Sequence, residues 1–379
     1  MENEREIYRI EYASYSKDGG IFRHKVALRV HFPGLRFSDV LRESRGYLIM
    51  LGKPLRRAFQ SLFFFILLIF LPFFSLADEL PVVRVGVLKF GTINWEMDVI
   101  KRHQLDQKAG FKLDVVPLAS KNASSVALQG EAVDIILSDW VWVSRQRASG
   151  KTYAISPTSA TAGGMYAAAD LKMDSPCDVA GQKLGIAGGA VDKTWLLYQA
   201  YCRVTDKQDI RATTEQQFVA PPLLNKLMTQ GKIAVGINFW HYGARLEAAG
   251  FTPVINLDQI VEGLGIDTQV PMLGWVFDAQ WARANPEKVA AFLKASSEAR
   301  AILRTSDAEW EVIRHLTKAK TDGVFTALRE AYRRGFAGDF GTEQQQAASR
   351  IFDILAKEGG PSLVGASPTL SEGTFWLSP

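Results

Sequence analysis

Tryptophans recur where a predicted strand meets the helix that follows it: Trp95, Trp140, Trp195, Trp240 and Trp275. An indole ring offers a large apolar face that either packs in a core or lines a binding site. Core packing explains any one of these residues. Repeated placement at strand ends favours a lined cleft, because ligand crevices in doubly wound sheets lie beyond the carboxyl ends of the strands.

Polar side chains accompany these tryptophans, and a few polar groups between apolar walls are what orients a small ligand. The candidate ligand-binding residues are Thr92, Asn94, Trp95, Ser120, Lys121, Asn122, Ser138, Asp139, Trp140, Gly188, Gly189, Asp192, Asn238, Trp240 and Trp275. This set is suited to binding and contains no obvious reacting group. We therefore predict no catalytic residue and no enzymatic activity.

Residues 187–194 lie between a predicted strand and a predicted helix and end in Lys-Thr, as a phosphate-binding loop does. Ala187 and Asp192 stand where that loop needs its two glycines, and a carboxylate there would repel phosphate. We therefore do not expect nucleotide hydrolysis. Gly188 and Gly189 form either a tight turn or a loop that exposes N–H groups to a polar or anionic ligand.

Other signatures of catalysis and metal binding are missing from the sequence. There is no Gly-x-Ser-x-Gly or His-Glu-x-x-His. His103, His241 and His315 have no neighbouring ligand at metal-binding spacing. We predict no metal and no cofactor. Cys177 and Cys202, the only cysteines, either form a disulfide or remain two buried thiols.

The amino-terminal region has the three parts of a secretory signal peptide. Basic residues precede an apolar run within 61–74, and Ser75-Leu76-Ala77 supplies a small-x-small cleavage pattern. The run is short for a bilayer span of about 20 residues, and Pro72 interrupts it. We assign 50–77 to a cleaved signal peptide and predict a periplasmic protein.

Residues 1–49 are polar, and a signal peptide normally starts at the first residue. We interpret Met50 as the translation start and 1–49 as a mis-annotated upstream extension, with a true cytoplasmic extension as the alternative. Residues 1–77 carry 12 of the 44 Lys and Arg and 7 of the 40 Asp and Glu, which leaves 32 against 33 in 78–379. Residues 78–379 are therefore close to electrically neutral and lack the excess of basic residues that is typical of nucleic-acid-binding proteins.

Strands alternating with helices predict a parallel, doubly wound α/β sheet, and the pattern recurs about one hundred residues later. The matched pairs are Gln129 and Gln230, Gly130 and Gly231, Trp140 and Trp240, Arg145 and Arg245, and Gly150 and Gly250. The repeat predicts two lobes of one architecture. Lobe 1 would comprise 81–165 plus 270–379, including a helical C-terminal third, and lobe 2 would be the inserted 166–269.

Four segments carry a resemblance to a known family: 85–87 with 91–95, 111–117, 127–135, and 184–186. Across about 81–300 the chain resembles the periplasmic solute-binding proteins of ABC importers, in the nitrate, sulfonate and taurine group related to thiamine-pyrimidine synthesis proteins. The resemblance implies a two-lobed clamshell, monomeric, that delivers a small solute to a permease and its ATPase subunit. The implied ligand loops are 91–95, 120–122, 138–140, 188–192 and 238–240.

Asp139 departs from what an anion site needs. If it faces the cleft, it favours a cation, an amine or a hydroxyl-bearing solute. If it caps the following helix, an anion site survives through Lys121 and the Gly188-Gly189 amides.

Two other functions stay open. One is an exported binding or sensor module without a transporter. The other is an enzyme similar to the thiamine-precursor synthase, which would need a reactive histidine and a cysteine-rich run. For the binding protein, we predict closure about a hinge near 160–167 and 269–275.

Overall fold

A computed structural model describes residues 7–15, 21–29, 79–160 and 162–377. The chain divides into two units, Met1–Glu79 and Leu80–Pro379. In the first, β1 (Ile7–Tyr15) pairs antiparallel with β2 (Ile21–Arg29). The predicted signal peptide at 50–77 lies outside the described residues, so its cleavage and the start at Met50 stay predictions.

The first five-stranded sheet of the second unit has the order β4-β3-β5-β12-β6. Its strands are β3 (Val82–Leu88), β4 (Lys112–Leu118), β5 (Ile135–Asp139), β6 (Tyr153–Ser159) and β12 (Leu273–Asp278). Strands β4, β3 and β5 are parallel, whereas β12 is antiparallel to both of its neighbours. Strand β3 lies between β4 and β5, and its mostly apolar side chains are buried because helices cover both faces of such a sheet.

The second five-stranded sheet has the order β11-β7-β10-β8-β9. Its strands are β7 (Gly164–Ala167), β8 (Lys183–Ala187), β9 (Glu215–Val219), β10 (Val235–Asn238) and β11 (Thr252–Asn256). Strands β9, β8 and β10 are parallel, and β7 is antiparallel to β10 and β11.

The two sheets have the same strand order. The three parallel strands run β4-β3-β5 in the first sheet and β9-β8-β10 in the second, and an antiparallel strand, β12 or β7, follows next to β5 or β10. This confirms the two-lobed α/β architecture with similar sheets. The expectation of wholly parallel sheets is wrong, because β7 and β12, the first strands after each crossing between the sheets, enter antiparallel to their neighbours β10 and β5.

Helices cover both sheets. In the first part of the unit they are α1 (Ile93–Arg102), α2 (Leu105–Lys108), α3 (Lys121–Gln129) and α4 (Trp140–Ala148). Next come α5 (Lys193–Thr205), α6 (Ile210–Thr213), α7 (Pro221–Thr229), α8 (Trp240–Glu247) and α9 (Leu257–Gly263). The last are α10 (Ala279–Ala284), α11 (Pro286–Thr305), α12 (Asp307–Thr317), α13 (Asp322–Arg334) and α14 (Thr342–Val364).

Single residues decide where two of these helices begin and end. Helices α1 and α2 are separate, because Gln104 adopts a left-handed conformation between them. Asn285 occupies the residue before α11 but does not cap it with its side chain; its amide donates to the carbonyl of Trp281 instead. Pro286 begins α11, since its missing N–H costs nothing in the first turn.

The chain crosses between the sheets twice, at 160–163 and at 264–272, inside or beside the segments predicted to form the hinge. Helix α14 packs on α4, which follows β5, and on α5, which follows β8. Arg350 in α14 also donates to the carbonyl of Gly265 in the second crossing segment, at 2.7 Å. Helix α14 therefore lies along the crossing.

Cys177 and Cys202 form a disulfide with a Cα–Cα distance of 5.6 Å. The bond joins the segment before β8 to helix α5, in the core of the second sheet. Of the two alternatives that the sequence left open, the disulfide is the one present.

Candidate functional site

The carboxyl ends of the two sheets face each other, and three contacts cross between them. Lys193 Nζ lies 3.1 Å from Asp139 Oδ2. Lys121 Nζ lies 5.2 Å from the centre of the Phe239 ring. The rings of Trp95 and Trp240 meet edge to face at 6.0 Å. We call the region bounded by these contacts the cleft.

Asp139 performs both of the roles that the sequence left as alternatives. One carboxylate oxygen accepts from the backbone N–H of Trp142 at 2.8 Å and caps α4, while the other faces Lys193 of the opposite sheet. Burial raises the pKa of Asp139, but the charge of Lys193, the Trp142 N–H and the charge of Lys121 together outweigh it, and the pKa is lowered. Asp139 is therefore an anion at neutral pH.

Asp192 is a second carboxylate at the cleft, and it caps α5 by accepting from the N–H of Trp195 at 3.1 Å. Burial raises its pKa, and the attraction of Lys193 and Lys121 only partly offsets that effect. Asp139, Asp192, Lys121 and Lys193 thus form one cluster with two acidic and two basic side chains. We call it the charge cluster.

Three further predicted site residues shape the loops of the cleft through their own hydrogen bonds. Ser120 caps α3 by accepting from the N–H of Ala123. The Asn94 amide donates to two carbonyls of its own turn. Asn238 is buried and bonds Pro221, Asn225 and Phe239 within its own lobe. These polar groups position the backbone at the cleft.

Thr92, Asn122, Ser138, Gly188 and Gly189 lie on the same loops. Thr92 stands before α1 without capping it, Asn122 is exposed, and Ser138 is half-buried. Gly188 and Gly189 have φ values of +89° and +88°, a region that favours glycine. A Cβ on Gly188 would also lie only 2.7 Å from the capping carboxylate of Asp192.

The tryptophans divide into two groups. Trp140 is fully buried against Phe352 and Phe375, and Trp275 is buried with its N–H donated to Ser296. Both are therefore core residues and do not line the cleft, because helices of the C-terminal third cover them. Trp95 is also buried and packs on Trp310, but its ring meets the partly buried Trp240 of the other lobe, and both rings contact Tyr332.

Three residues at the cleft are absent from the set of site residues predicted from the sequence. Lys193 belongs to the loop that departs from a phosphate-binding motif, and Phe239 precedes Trp240. The ring centre of His241 lies 5.4 Å from that of Trp240, and burial and the charge of Arg245 lower the pKa of His241 to about 4. Only position at a strand end could have marked Lys193 and Phe239.

Two features are absent from residues 7–15, 21–29, 79–160 and 162–377. Among those residues, no group of three His, Cys, Asp or Glu side chains is arranged to hold a metal ion. No helix in the same part of the chain is long and apolar enough to cross a membrane.

No family model and no curated protein sequence matches the chain. Solved structures do. The alkanesulfonate-binding protein SsuA from Xanthomonas axonopodis pv. citri, bound to MOPS, superposes with a TM-score of 0.60 at 14% identity over 79% of this chain and 99% of its own. The periplasmic aliphatic sulphonate binding protein SsuA from Escherichia coli gives 0.63 and 14% over 79% and 92%.

The chain has the fold of the sulfonate-binding SsuA proteins. The resemblance drawn from the sequence is thereby confirmed for the fold. The same fold also carries an enzyme, because the desulfurization enzyme DSZB superposes with a TM-score of 0.50 at 12% identity over 74% of this chain and 92% of its own. The SsuA-like fold therefore places a cleft between two lobes and leaves the choice between binding and catalysis to the cleft residues.

Proposed function

We propose that this protein is the extracytoplasmic solute-binding subunit of an ABC importer. It captures a small organic solute between its two sheets and delivers it to a permease driven by an ATPase subunit. The observation that carries the proposal is the meeting of both sheets' carboxyl ends at the charge cluster. In this fold a solute that contacts both ends stabilises the closed arrangement, because only that arrangement makes both sets of contacts.

The charge cluster points to the chemical class of the solute. Asp139 and Lys193 are partly shielded, with 14% and 24% of their side chains exposed, and each is the other's counter-ion. A solute that separated them without replacing either charge would leave an unpaired charge in a partly buried site, which is unfavourable. A zwitterion supplies a cation for Asp139 and an anion for Lys193 and Lys121. We therefore propose a zwitterionic solute.

Export supports the same proposal. The segment 50–77 reads as a cleaved signal peptide, and a disulfide between Cys177 and Cys202 is typical of an oxidising compartment. We propose that the mature protein is a periplasmic monomer whose lobes, predicted at 81–165 plus 270–379 and at 166–269, each hold one sheet, with all of β7 in the second lobe.

An enzymatic function is the second candidate, since DSZB has this fold. The chain's two cysteines are joined to each other, so the oxidised protein has no thiol to act as nucleophile. His241 is held neutral at pH 7 in an aromatic environment rather than next to a carboxylate. These features favour binding. A sensor role without a transporter would use the same cleft.

Native mass spectrometry of protein purified from the periplasm tests the binding function. A co-purified small molecule supports it. The solute class is tested by thermal unfolding with 3-aminopropanoate, propanoate and propylamine, which share a three-carbon skeleton and differ in charge. A ligand at 100 times its Kd adds about 2.7 kcal/mol to the free energy of unfolding, so we expect a rise in Tm with the zwitterion alone.

The outcomes separate the proposals. A rise with propanoate or propylamine alone contradicts the zwitterion and leaves the binding function intact. A protein with no co-purified molecule and no response to a broad solute panel contradicts the binding function. Uptake of the identified solute by cells with and without the gene distinguishes import from sensing.

A further inference from the structure

A second polar site lies inside the first lobe, apart from the charge cluster. Three buried side-chain atoms there have no hydrogen-bond partner within the protein: Glu96 Oε2, Thr158 Oγ1 and Arg300 Nε. The residues that carry them line a single small cavity, together with Tyr332 and Phe336. A buried polar atom without a partner is unfavourable, so three such atoms around one space point to an occupant.

The size and chemistry of the cavity limit that occupant. Its volume is about 10 Å³, close to the minimum for one water molecule. The guanidinium Nε–H of Arg300 only donates a hydrogen bond, the Glu96 carboxylate oxygen accepts one, and the Thr158 hydroxyl can donate or accept. The positive charge of Arg300 opposes a metal ion. Water matches all three groups, because a buried water typically makes about three hydrogen bonds.

We propose that this cavity binds one ordered water molecule that bridges Glu96, Thr158 and Arg300. The site does not depend on the proposed solute. The water joins α1, β6 and α11, which otherwise meet here through a bond from Arg300 to the carbonyl of Thr158. Because Glu96 also accepts from Tyr332 at 2.9 Å, the network extends to α13.

The position of this water gives it a mechanical role. Thr158 lies two residues before 160–163, the first crossing between the sheets. The backbone of Ala160 is already held by the carbonyl of Gly335, which follows α13. A water bonded to Thr158 adds a second contact at the end of β6, beside the cavity that Gly335 also lines. The crossing segment thus starts from an anchored strand end.

The protonation of Glu96 is compatible with a water partner in both states. Burial raises the pKa of Glu96 to about 7, against the opposing effects of the Arg300 charge and of the hydrogen bond from Tyr332. Water donates to the carboxylate and accepts from the carboxylic acid. The bridge therefore persists as Glu96 titrates.

Crystallography of the full chain at about 1.5 Å tests the proposal directly. We expect one density peak within hydrogen-bond distance of all three atoms. In Thr158→Val, which keeps the shape of the side chain and removes the hydroxyl, the peak should be lost or weakened. The Tm of the Thr158→Val protein should fall by about 2–6 °C. Thr305→Val, on an exposed helical surface, is the matched control, and its Tm should change less.

A cavity without density in the unmodified protein would overturn the proposal, as would a peak that contacts fewer than two of the three atoms. If Thr158→Val does not fold, Glu96→Gln provides the second variant, because its amide keeps an oxygen or nitrogen at the Oε2 position. Its crystal structure should retain the peak, and loss of the peak there contradicts the bridge.

Discussion

Glu96 holds a carboxyl group in a position that is only 6% exposed. Because burial raises its pKa from 4.5 to about 7, the native state binds a proton more tightly than the unfolded state does. The resulting stabilisation is complete below pH 4.5, and it is lost as the pH rises towards and through 7. The shift corresponds to about 3 kcal/mol of unfolding free energy.

Glu96→Gln should remove this pH dependence, because a neutral amide replaces the titrating group. Urea unfolding between pH 4.5 and 8 would measure it, with Glu298→Gln on an exposed surface as the control. The control should keep the pH profile of the unmodified protein. The difference in unfolding free energy between the unmodified protein and Glu96→Gln should fall as the pH rises from 4.5 towards 7, because the lowered pKa of His241 contributes equally to both proteins. An unchanged slope in Glu96→Gln would show that another group controls stability in this range.

Trp140 and Trp240 occupy matching places in the repeat and should respond differently to truncation. Trp140→Ala removes a fully buried ring and should lower the free energy of unfolding by about 3–5 kcal/mol. Trp240→Ala should cost less, and we expect it to weaken solute binding about ten-fold, since indole contacts contribute about 1–2 kcal/mol. Calorimetric unfolding of both variants measures the loss of stability, and titration with solute measures the loss of affinity. Full solute affinity in Trp240→Ala would contradict the placement of Trp240 in the cleft.

At the scale of elements, the ion pair between Asp139 and Lys193 connects the end of β5 to the start of α5. Asp139→Asn keeps an oxygen that can cap α4 and removes only the charge. We expect it to weaken binding of a cation-bearing solute by ten-fold or more and to leave α4 intact by circular dichroism. Lys193→Met should weaken binding of the anionic group similarly, with the exposed Lys294→Met as the control. Equal solute affinity in all three variants would show that the charge cluster does not contribute to solute binding.

The disulfide joins two elements of the second lobe across a sequence separation of 25 residues. On the chain-entropy estimate such a loop contributes about 3 kcal/mol. Cys177→Ser with Cys202→Ser should therefore lower the free energy of unfolding by about that amount in guanidinium titrations. The oxidised and reduced forms of the unmodified protein provide the comparison, and equal stability of the two would contradict it.

For the whole molecule, we expect the two lobes to close about the crossings at 160–163 and 264–272. Helix α14 contacts the second crossing through Arg350, and the hydroxyl of Thr268 in that crossing donates to Glu343. Contacts along a hinge axis move least when lobes rotate, so α14 can stay packed during closure. Small-angle scattering should show a smaller radius of gyration with saturating solute, and an unchanged radius contradicts closure.

Much of this protein follows from local sequence. Apolar β-branched runs specify the parallel strands, and the repeat at 129–150 and 230–250 specifies two similar lobes. Asp139 and Asp192 cap helices because a carboxylate beside the first turn pairs with free N–H groups there. The spacing of two cysteines permitted a disulfide without requiring it.

Only the tertiary structure decided what surrounds each of these residues. Trp140 and Trp240 each begin a helix after a strand, yet Phe352 and Phe375 bury the first, while Trp95 and Tyr332 meet the second across the cleft. Lys193 became the partner of Asp139, and Arg300 came close to Glu96, through folding of segments far apart in the chain. Local sequence fixes the direction in which a side chain leaves its helix or strand. Burial and charge pairing depend on the distant segment that packs against it, and short-range patterns do not encode that contact.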